Sequence, residues 1–196
     1  MKKALLLIVF VVVGLSANAQ EFKPFKVGLG LGYAIPADGG GGIAVYLEPG
    51  YRISDVFLLN LRLESAAMAK VVGDQEASVS ASGSYTLNGQ YYLSNNDFRP
   101  FVGLGAGLFS NATVSVSVDV DGVGTVSADF DPSSSIGFYP RIGFDYGHFN
   151  FIFDYNLIPA TDEVEFNGTT IDLGDDKIKN SYMTIKMGVS IGGGRN

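Results

Sequence analysis

The feature that most constrains this chain is alternation: from about residue 25 onward, apolar side chains recur at every second position, and helical periodicity is almost absent. The clearest run sets Phe149, Phe151, Phe153, Tyr155 and Leu157 against Asn150, Ile152, Asp154 and Asn156. Successive side chains of an extended strand point to opposite faces, so such a run makes one apolar and one polar face. Seven further runs read the same way, with apolar faces Val27–Ile35, Ile43–Ile53, Phe57–Leu63, Tyr85–Leu93, Val102–Leu108, Ile136–Tyr146 and Met183–Ile191. The expected total is eight strands.

The connections alternate too. Tight turns are predicted at Ser54-Asp55, Asn95-Asn96 and Gly147-His148, from Gly, Asn, Asp and Ser chemistry. The others, Ala37–Gly41, Ala69–Ser78, Asn111–Ser133 and Pro159–Lys179, read as mostly longer, polar loops. Short turns at one end and long loops at the other are the arrangement of bacterial outer-membrane barrels. Val114, Val116, Val118 and Val120 continue the alternation into one loop, and Asn167-Gly168 is a hairpin turn signal in another. The fifth to eighth strands are therefore expected to project past the membrane as ribbons.

An export leader precedes the strands. Lys2 and Lys3, the apolar run Ala4–Val13 and an Ala17-Asn18-Ala19 cleavage site predict a signal peptide over 1–19 and a barrel domain over 20–196. The apolar run is too short to span a bilayer as a helix. Loss of Lys2 and Lys3 leaves 11 basic residues against 20 acidic ones, a balance that excludes binding to a nucleic-acid backbone. With no cysteine, disulfides, thiolate metal sites and a catalytic thiol are excluded.

Alternation alone fits two opposite objects. A soluble lipocalin-type barrel turns its apolar face inward around a ligand, whereas a membrane barrel turns it to lipid. Here the polar faces are rich in glycine and poor in charge, unlike a surface made for water. Their charges come in both signs: Glu48, Arg52, Arg62, Glu64, Arg141, Asp145, Asp154 and Lys186. Four acids and four bases can pair as a structural network inside a narrow eight-stranded barrel, whose lumen side chains fill. Tyr33, Tyr51, Tyr85, Tyr91, Tyr146, Tyr155 and Phe149 lie near strand ends, as interfacial girdles do. The reading favoured is an all-β, eight-stranded antiparallel up-and-down transmembrane β-barrel; a soluble barrel binding an apolar ligand is the alternative.

Three stretches carry a family resemblance: Phe25-Lys26-Val27-Gly28-Leu29-Gly30-Leu31-Gly32-Tyr33, Arg99-Pro100-Phe101-Val102-Gly103-Leu104-Gly105-Ala106-Gly107, and Met187-Gly188-Val189-Ser190-Ile191-Gly192. In these the chain resembles the outer-membrane β-barrel proteins common in Bacteroidota and, more distantly, the OmpA/OmpX-type barrels. The resemblance implies residence in the outer membrane among lipid and lipopolysaccharide, and delivery by periplasmic chaperones and the outer-membrane assembly machinery. The close Gly194-Arg195-Asn196 departs from the terminal aromatic usual in proteobacterial barrels.

Catalysis lacks its parts. The one histidine, His148, falls in a predicted periplasmic turn, away from outer-leaflet lipid. Asp119, Asp121, Asp129 and Asp131, and Asp172, Asp175 and Asp176, read as solvating charges of loops, with calcium ligation a weaker reading. No enzyme activity, cofactor or metal is expected. The expected role is a monomeric structural or surface-interaction protein, adhesion-like, meeting a partner through loops 111–133 and 159–179; a narrow pore is the less favoured function.

Overall fold

The computed structural model describes residues 21–37, 39–72, 76–115, 131–160, 163–166, 169–172 and 179–195; the expected leader, residues 1–19, lies outside them. Eight strands close into an antiparallel barrel: β1 (Phe25–Pro36), β2 (Gly41–Ser54), β3 (Phe57–Val72), β4 (Glu76–Tyr92), β5 (Phe98–Ser115), β6 (Asp131–Tyr146), β7 (Phe149–Asn156) and β10 (Tyr182–Gly192). Each pairs with its sequence neighbour in the barrel, and β1 closes on β10. Two short strands, β8 (Glu163–Phe166) and β9 (Thr169–Asp172), pair only with each other. They flank residues 167–168, which lie outside the described residues, as does the expected Val116–Val120 alternation.

The register fixes the barrel's size. Starting at Phe25, the paired positions run through Tyr51, Leu59, Gly89, Leu104 and Pro140. The same register continues through Tyr155 and Met183 and returns to β1 at Ile35, ten residues out of step. That stagger tilts eight strands around a lumen only wide enough for side chains to fill. Two prolines interrupt the ladders. Pairing of β2 with β3 lapses between Leu47↔Leu63 and Gly50↔Asn60, at Pro49. Pairing of β6 with β7 lapses between Arg141↔Asp154 and Phe138↔Leu157, at Pro140. Proline has no N–H to give a ladder, so each gap sits where that donor is missing.

At the end that carries both termini, the turns are short. Asp55-Val56 joins β2 to β3, Leu93–Asp97 joins β4 to β5, and Gly147-His148 joins β6 to β7. Gly147 has φ 58°, the left-handed conformation that glycine adopts without strain. The opposite end differs from expectation. Ala69–Ser78, read as a polar loop, is mostly ladder: pairing of β3 with β4 continues to Val72↔Glu76. The β-branched Val71 and Val72 favour strand there, and the polar content that suggested a loop does not prevent it. The extension expected of the fifth to eighth strands is therefore met by β5 and β6, is shared by β3 and β4, and stops short in the seventh. The seventh ends at Asn156, and the chain turns off where Ile158 exchanges hydrogen bonds with Ser181 Oγ at 3.1 Å, just before Pro159.

Faces sort as a membrane barrel requires. Leu31, Ile43, Leu87, Leu104, Ile136 and Met187 point out and stay exposed, whereas Arg62, Arg141, Asp154 and Lys186 are buried in the lumen. The expected girdle residues Tyr33, Tyr85, Tyr91, Tyr146, Tyr155 and Phe149 are exposed on the outer wall. Inside, the glycines have a packing reason. Gly143 pairs with Phe101, Gly103 with Arg141, Gly105 with Tyr139, Gly30 with Tyr46 and Gly32 with Lys186. A Cβ on Gly105 would meet the Tyr139 ring at 2.2 Å, and one on Gly143 the Phe101 ring at 2.6 Å. The glycine face is the space into which large lumen side chains lie down.

Candidate functional site

The lumen is stacked in layers. Toward the outer end Ala34, Ala44, Ala66, Met68, Phe109, Tyr139, Ile158 and Tyr182 form an apolar cluster. Small residues of β1 to β3 face Phe109 and Tyr139, so the plug closes without a large side chain from every strand.

Below it lies a charged layer of three cations and three carboxylates. Arg141 donates to both oxygens of Glu48, at 2.5 and 2.9 Å, and to both of Asp154, at 2.8 and 3.1 Å. Arg62 donates to Asp154 Oδ2 and to Asn156 Oδ1, each at 2.8 Å. Lys186 Nζ lies 2.6 Å from Glu64 Oε2 and 2.5 Å from Asp154 Oδ2. Tyr182 donates to Glu64 Oε1 at 3.0 Å, and Asn60 bridges Glu48 and Gln90 at 3.1 and 2.9 Å. The Arg62 guanidinium lies 3.7 Å from the Tyr139 ring centroid, on the face where a ring attracts cations. Isolated buried charges are costly, and this layer offsets the cost by balanced charge and bidentate geometry.

A second apolar layer follows, made of Tyr46, Leu58, Tyr92, Phe101 and Ile152. Nearest the termini, Lys26 Nζ pairs with Asp145 Oδ2 and donates to Tyr92 Oη at 3.1 Å; Tyr92 in turn donates to the same Asp145 oxygen at 2.7 Å. Arg52 and Arg99 sit at this mouth, where both reach the Asp55 carbonyl.

The eight residues singled out from sequence therefore fall into two groups. Glu48, Arg62, Glu64, Arg141, Asp154 and Lys186 meet in the central layer. Asp145 and Arg52 lie in the lower part of the lumen, Asp145 with a partner the sequence reading missed, Lys26. Lys26 shares the inward parity of Gly28 and Gly30, a signal available in the sequence. Arg99 was missed in the same way; Asn150, Asn156 and Tyr182 were read on the inward faces but, carrying no charge, were left out of the network. His148 sits in the β6–β7 turn, its Nδ1 3.0 Å from the Ser190 carbonyl. Among the described residues no group of three or more His, Cys, Asp or Glu is placed to hold a metal ion. The acidic residues Asp119, Asp121, Asp129, Asp175 and Asp176 lie outside the described residues.

A closed antiparallel barrel with an apolar outer wall and a buried, charge-paired interior is an integral outer-membrane β-barrel. Over residues 4–190 the chain matches the outer membrane protein β-barrel domain family, and it belongs to that family. Its fold is similar to the crystal structure of Neisserial surface protein A, at 18% identity and a TM-score of 0.52, over 86% of this chain and 96% of that one. Lower likenesses link it to two Pseudomonas aeruginosa proteins. For the outer membrane protein OprG the identity is 14% and the TM-score 0.49, over 88% of this chain and 98% of that one. For the N-terminal β-barrel domain of OprF the values are 14% and 0.46, over 88% and 98%. No curated protein matches the sequence. The protein resides in the outer membrane, which sets aside the soluble lipocalin-like alternative.

Proposed function

We propose that the barrel is a closed, non-catalytic anchor that holds the connections at its outer end at the cell surface, where they contact an extracellular partner. The observation that carries this reading is the central layer: Arg62, Arg141 and Lys186 cross the lumen to Glu48, Glu64 and Asp154, and all six side chains are buried. The space just below, among Lys26, Glu48, Asn60 and Gln90, amounts to about 10 Å³. That is room for at most one water, not for a hydrated ion. A narrow pore is the competing reading, and purified protein in planar bilayers separates the two. Traces at the level of leak support the anchor, and steady conductance steps overturn it.

The surface half of the proposal rests on where length is spent. Turns at the end with the termini take two to five residues, while residues 116–130 and 157–181 separate consecutive barrel strands at the other end. Long connections on a rigid scaffold are where binding residues concentrate. Replacing 114–131 or 159–179 with a two-residue Asn-Gly turn should leave the barrel folded and remove binding of cells expressing it to their target surface. Unchanged binding with both loops replaced would sink the surface role. The eight charges are proposed as structural residues, and the protein as a monomer delivered by periplasmic chaperones and the assembly machinery.

A further inference from the structure

The ladder that closes the barrel, β1 with β10, is unlike the others. Its paired residues stand 146 to 166 positions apart in the chain, against at most 48 in any other barrel ladder. Closing so long a loop costs the most chain entropy, so this ladder forms last. Its outward pairs, such as Leu29 with Val189 and Leu31 with Met187, face lipid. Lipid tails are as apolar as these side chains, so pairing them gains little. Inward, β1 offers Gly28, Gly30, Gly32 and Ala34, nothing larger than a methyl group. Lys26 reaches Asp145 of β6 across this seam, but only near the mouth.

At the middle of the seam, one row of the register is bridged by a side-chain bond. Tyr46 of β2 pairs with Gly30 of β1, Gly30 with Gly188 of β10, and Gly188 with Asn150 of β7. Tyr46 Oη donates to Asn150 Oδ1 at 2.5 Å, so the ends of the row are joined over the two glycines between them. A methyl added to Gly30 or Gly188 would stand 2.8 or 2.2 Å from that hydroxyl. The glycines are the space the phenol occupies. Asn150 is aimed by β10, its Nδ2 donating to Ser190 Oγ at 3.1 Å. The Lys186 ammonium, also from β10, lies 5.0 Å from the Tyr46 ring centroid. Tyr46 and Asn150 are both buried, so little water competes for their bond.

We propose that Tyr46 and Asn150 are the latch of the closing seam: their bond forms once β1 and β10 have paired, and it holds shut a ladder that glycine leaves weak. Topology sets that order. Before closure the two residues belong to opposite ends of an open sheet, one strand in from each edge. After closure they stand three strand spacings apart along the wall, roughly 14 Å, and the curvature of the closed wall turns their side chains toward each other. The latch is independent of what the outer connections bind and of whether the lumen conducts.

The test is hydrogen exchange on the whole barrel refolded in lipid vesicles, comparing wild type, Tyr46→Phe and Tyr139→Phe. Tyr139 also lies over a glycine, Gly105, and its hydroxyl bonds Thr86 Oγ1 at 3.1 Å, away from the seam. Tyr46→Phe should speed exchange of the amides that pair β1 with β10 about tenfold, and leave those pairing β3 with β4 unchanged. Tyr139→Phe should leave the seam as in wild type. Asn150→Ala should reproduce the seam effect, and adding Tyr46→Phe to it should bring no further rise, since one bond is lost either way. Because the latch follows pairing, Tyr46→Phe should raise the unfolding rate and leave the folding rate nearly unchanged. Failure of Tyr46→Phe to reach the heat-modifiable closed form, where Tyr139→Phe reaches it, also supports the latch. Seam exchange unchanged in Tyr46→Phe overturns it, as does a rise shared equally by the β3–β4 ladder or matched at the seam by Tyr139→Phe.

Discussion

Arg141 holds Asp154 through two parallel hydrogen bonds directly across the β6–β7 ladder, Nε to Oδ1 at 2.8 Å and Nη2 to Oδ2 at 3.1 Å. The same carboxylate also receives Arg62 from across the lumen at 2.8 Å and Lys186 from the neighbouring strand β10 at 2.5 Å. One acid from β7 thus ties together cations of β3, β6 and β10.

Asp154→Asn keeps the shape of that acceptor and removes its charge, leaving three cations to share Glu48 and Glu64. Breaking one partner of a buried network costs about 3–5 kcal/mol, because the remaining charges stay desolvated. Glu21→Gln, which breaks the half-exposed pair with Arg195, should cost about 0–1 kcal/mol. Denaturant unfolding of the barrel in lipid vesicles, followed by heat-modifiable gel migration, checks both. Equal losses would mean that the central layer is not a special contributor to stability.

Glycine placement gives a sharper contrast. A methyl on Gly105 meets the Tyr139 ring at 2.2 Å, whereas one on Gly83 meets nothing within 4 Å. Gly105→Ala should destabilise by about 1–3 kcal/mol, the usual cost of overpacking, and Gly83→Ala should be neutral or slightly stabilising. Tyr139→Leu in the Gly105→Ala background should recover part of the loss, a non-additivity that a double-mutant cycle reads directly. Additive losses would show that Tyr139 is not what the added methyl strikes.

Much of this arrangement was legible in the sequence, and what was not has a geometric cause. The faces follow from parity alone, so the inward charges were visible. The Arg141–Asp154 pair was legible in principle as well. The two-residue turn Gly147-His148 sets Tyr146 opposite Phe149, and counting back along that register sets Arg141 opposite Asp154. The contacts of Arg62 with Asp154, Lys186 with Glu64 and Lys26 with Asp145 join strands that are not neighbours. They depend on how the barrel closes, and the ten-residue stagger is a property of all eight ladders together. The outer ends were misjudged for a different reason: the polar residues Lys70, Asp74, Gln75 and Glu76 between Ala69 and Ser78 suit a ladder running past the membrane as well as a loop, and composition does not choose between them.

Outward and inward positions should respond in opposite senses to charge. Leu104 is exposed midway along β5, paired with Gly89 and Pro140, and its neighbour Gly103 faces the lumen. Leu104→Lys places an ammonium in the hydrocarbon band and should cost about 2–4 kcal/mol in vesicles. Tyr85→Lys, in the expected girdle, should cost about 0–1 kcal/mol, because a lysine there extends to the headgroups. Both are read from unfolding midpoints in the same lipid. Tolerance of Leu104→Lys without loss would contradict the assignment of that face to lipid.

Phe22 closes the periplasmic mouth, and its removal should open that end alone. The ring is buried beneath Arg52, Arg99 and Arg195, and the backbone around it is tied down on three sides. Phe22 N donates to Asp55 Oδ1 at 3.1 Å, Lys23 N to the Gly194 carbonyl at 2.8 Å, and Arg52 N to the Pro24 carbonyl at 2.7 Å. Phe22→Ala takes away the surface on which the guanidiniums rest and loosens the segment whose Pro24 carbonyl accepts from the Arg52 amide. A cost of about 3 kcal/mol, the low end for burying an aromatic, is expected because water can enter an open mouth and limit the cavity penalty. Phe22→Leu should fall between, retaining apolar volume and losing the ring face that attracts the cations, worth about 0.5–2 kcal/mol. Hydrogen exchange locates the effect. The Arg52 amide should exchange faster in Phe22→Ala, while amides of β6 and β7 beside Arg141 and Asp154 keep their protection, since local opening need not reach the charged layer. Exchange that accelerates equally in both places would mean that Phe22 supports the whole barrel and is not a local closure.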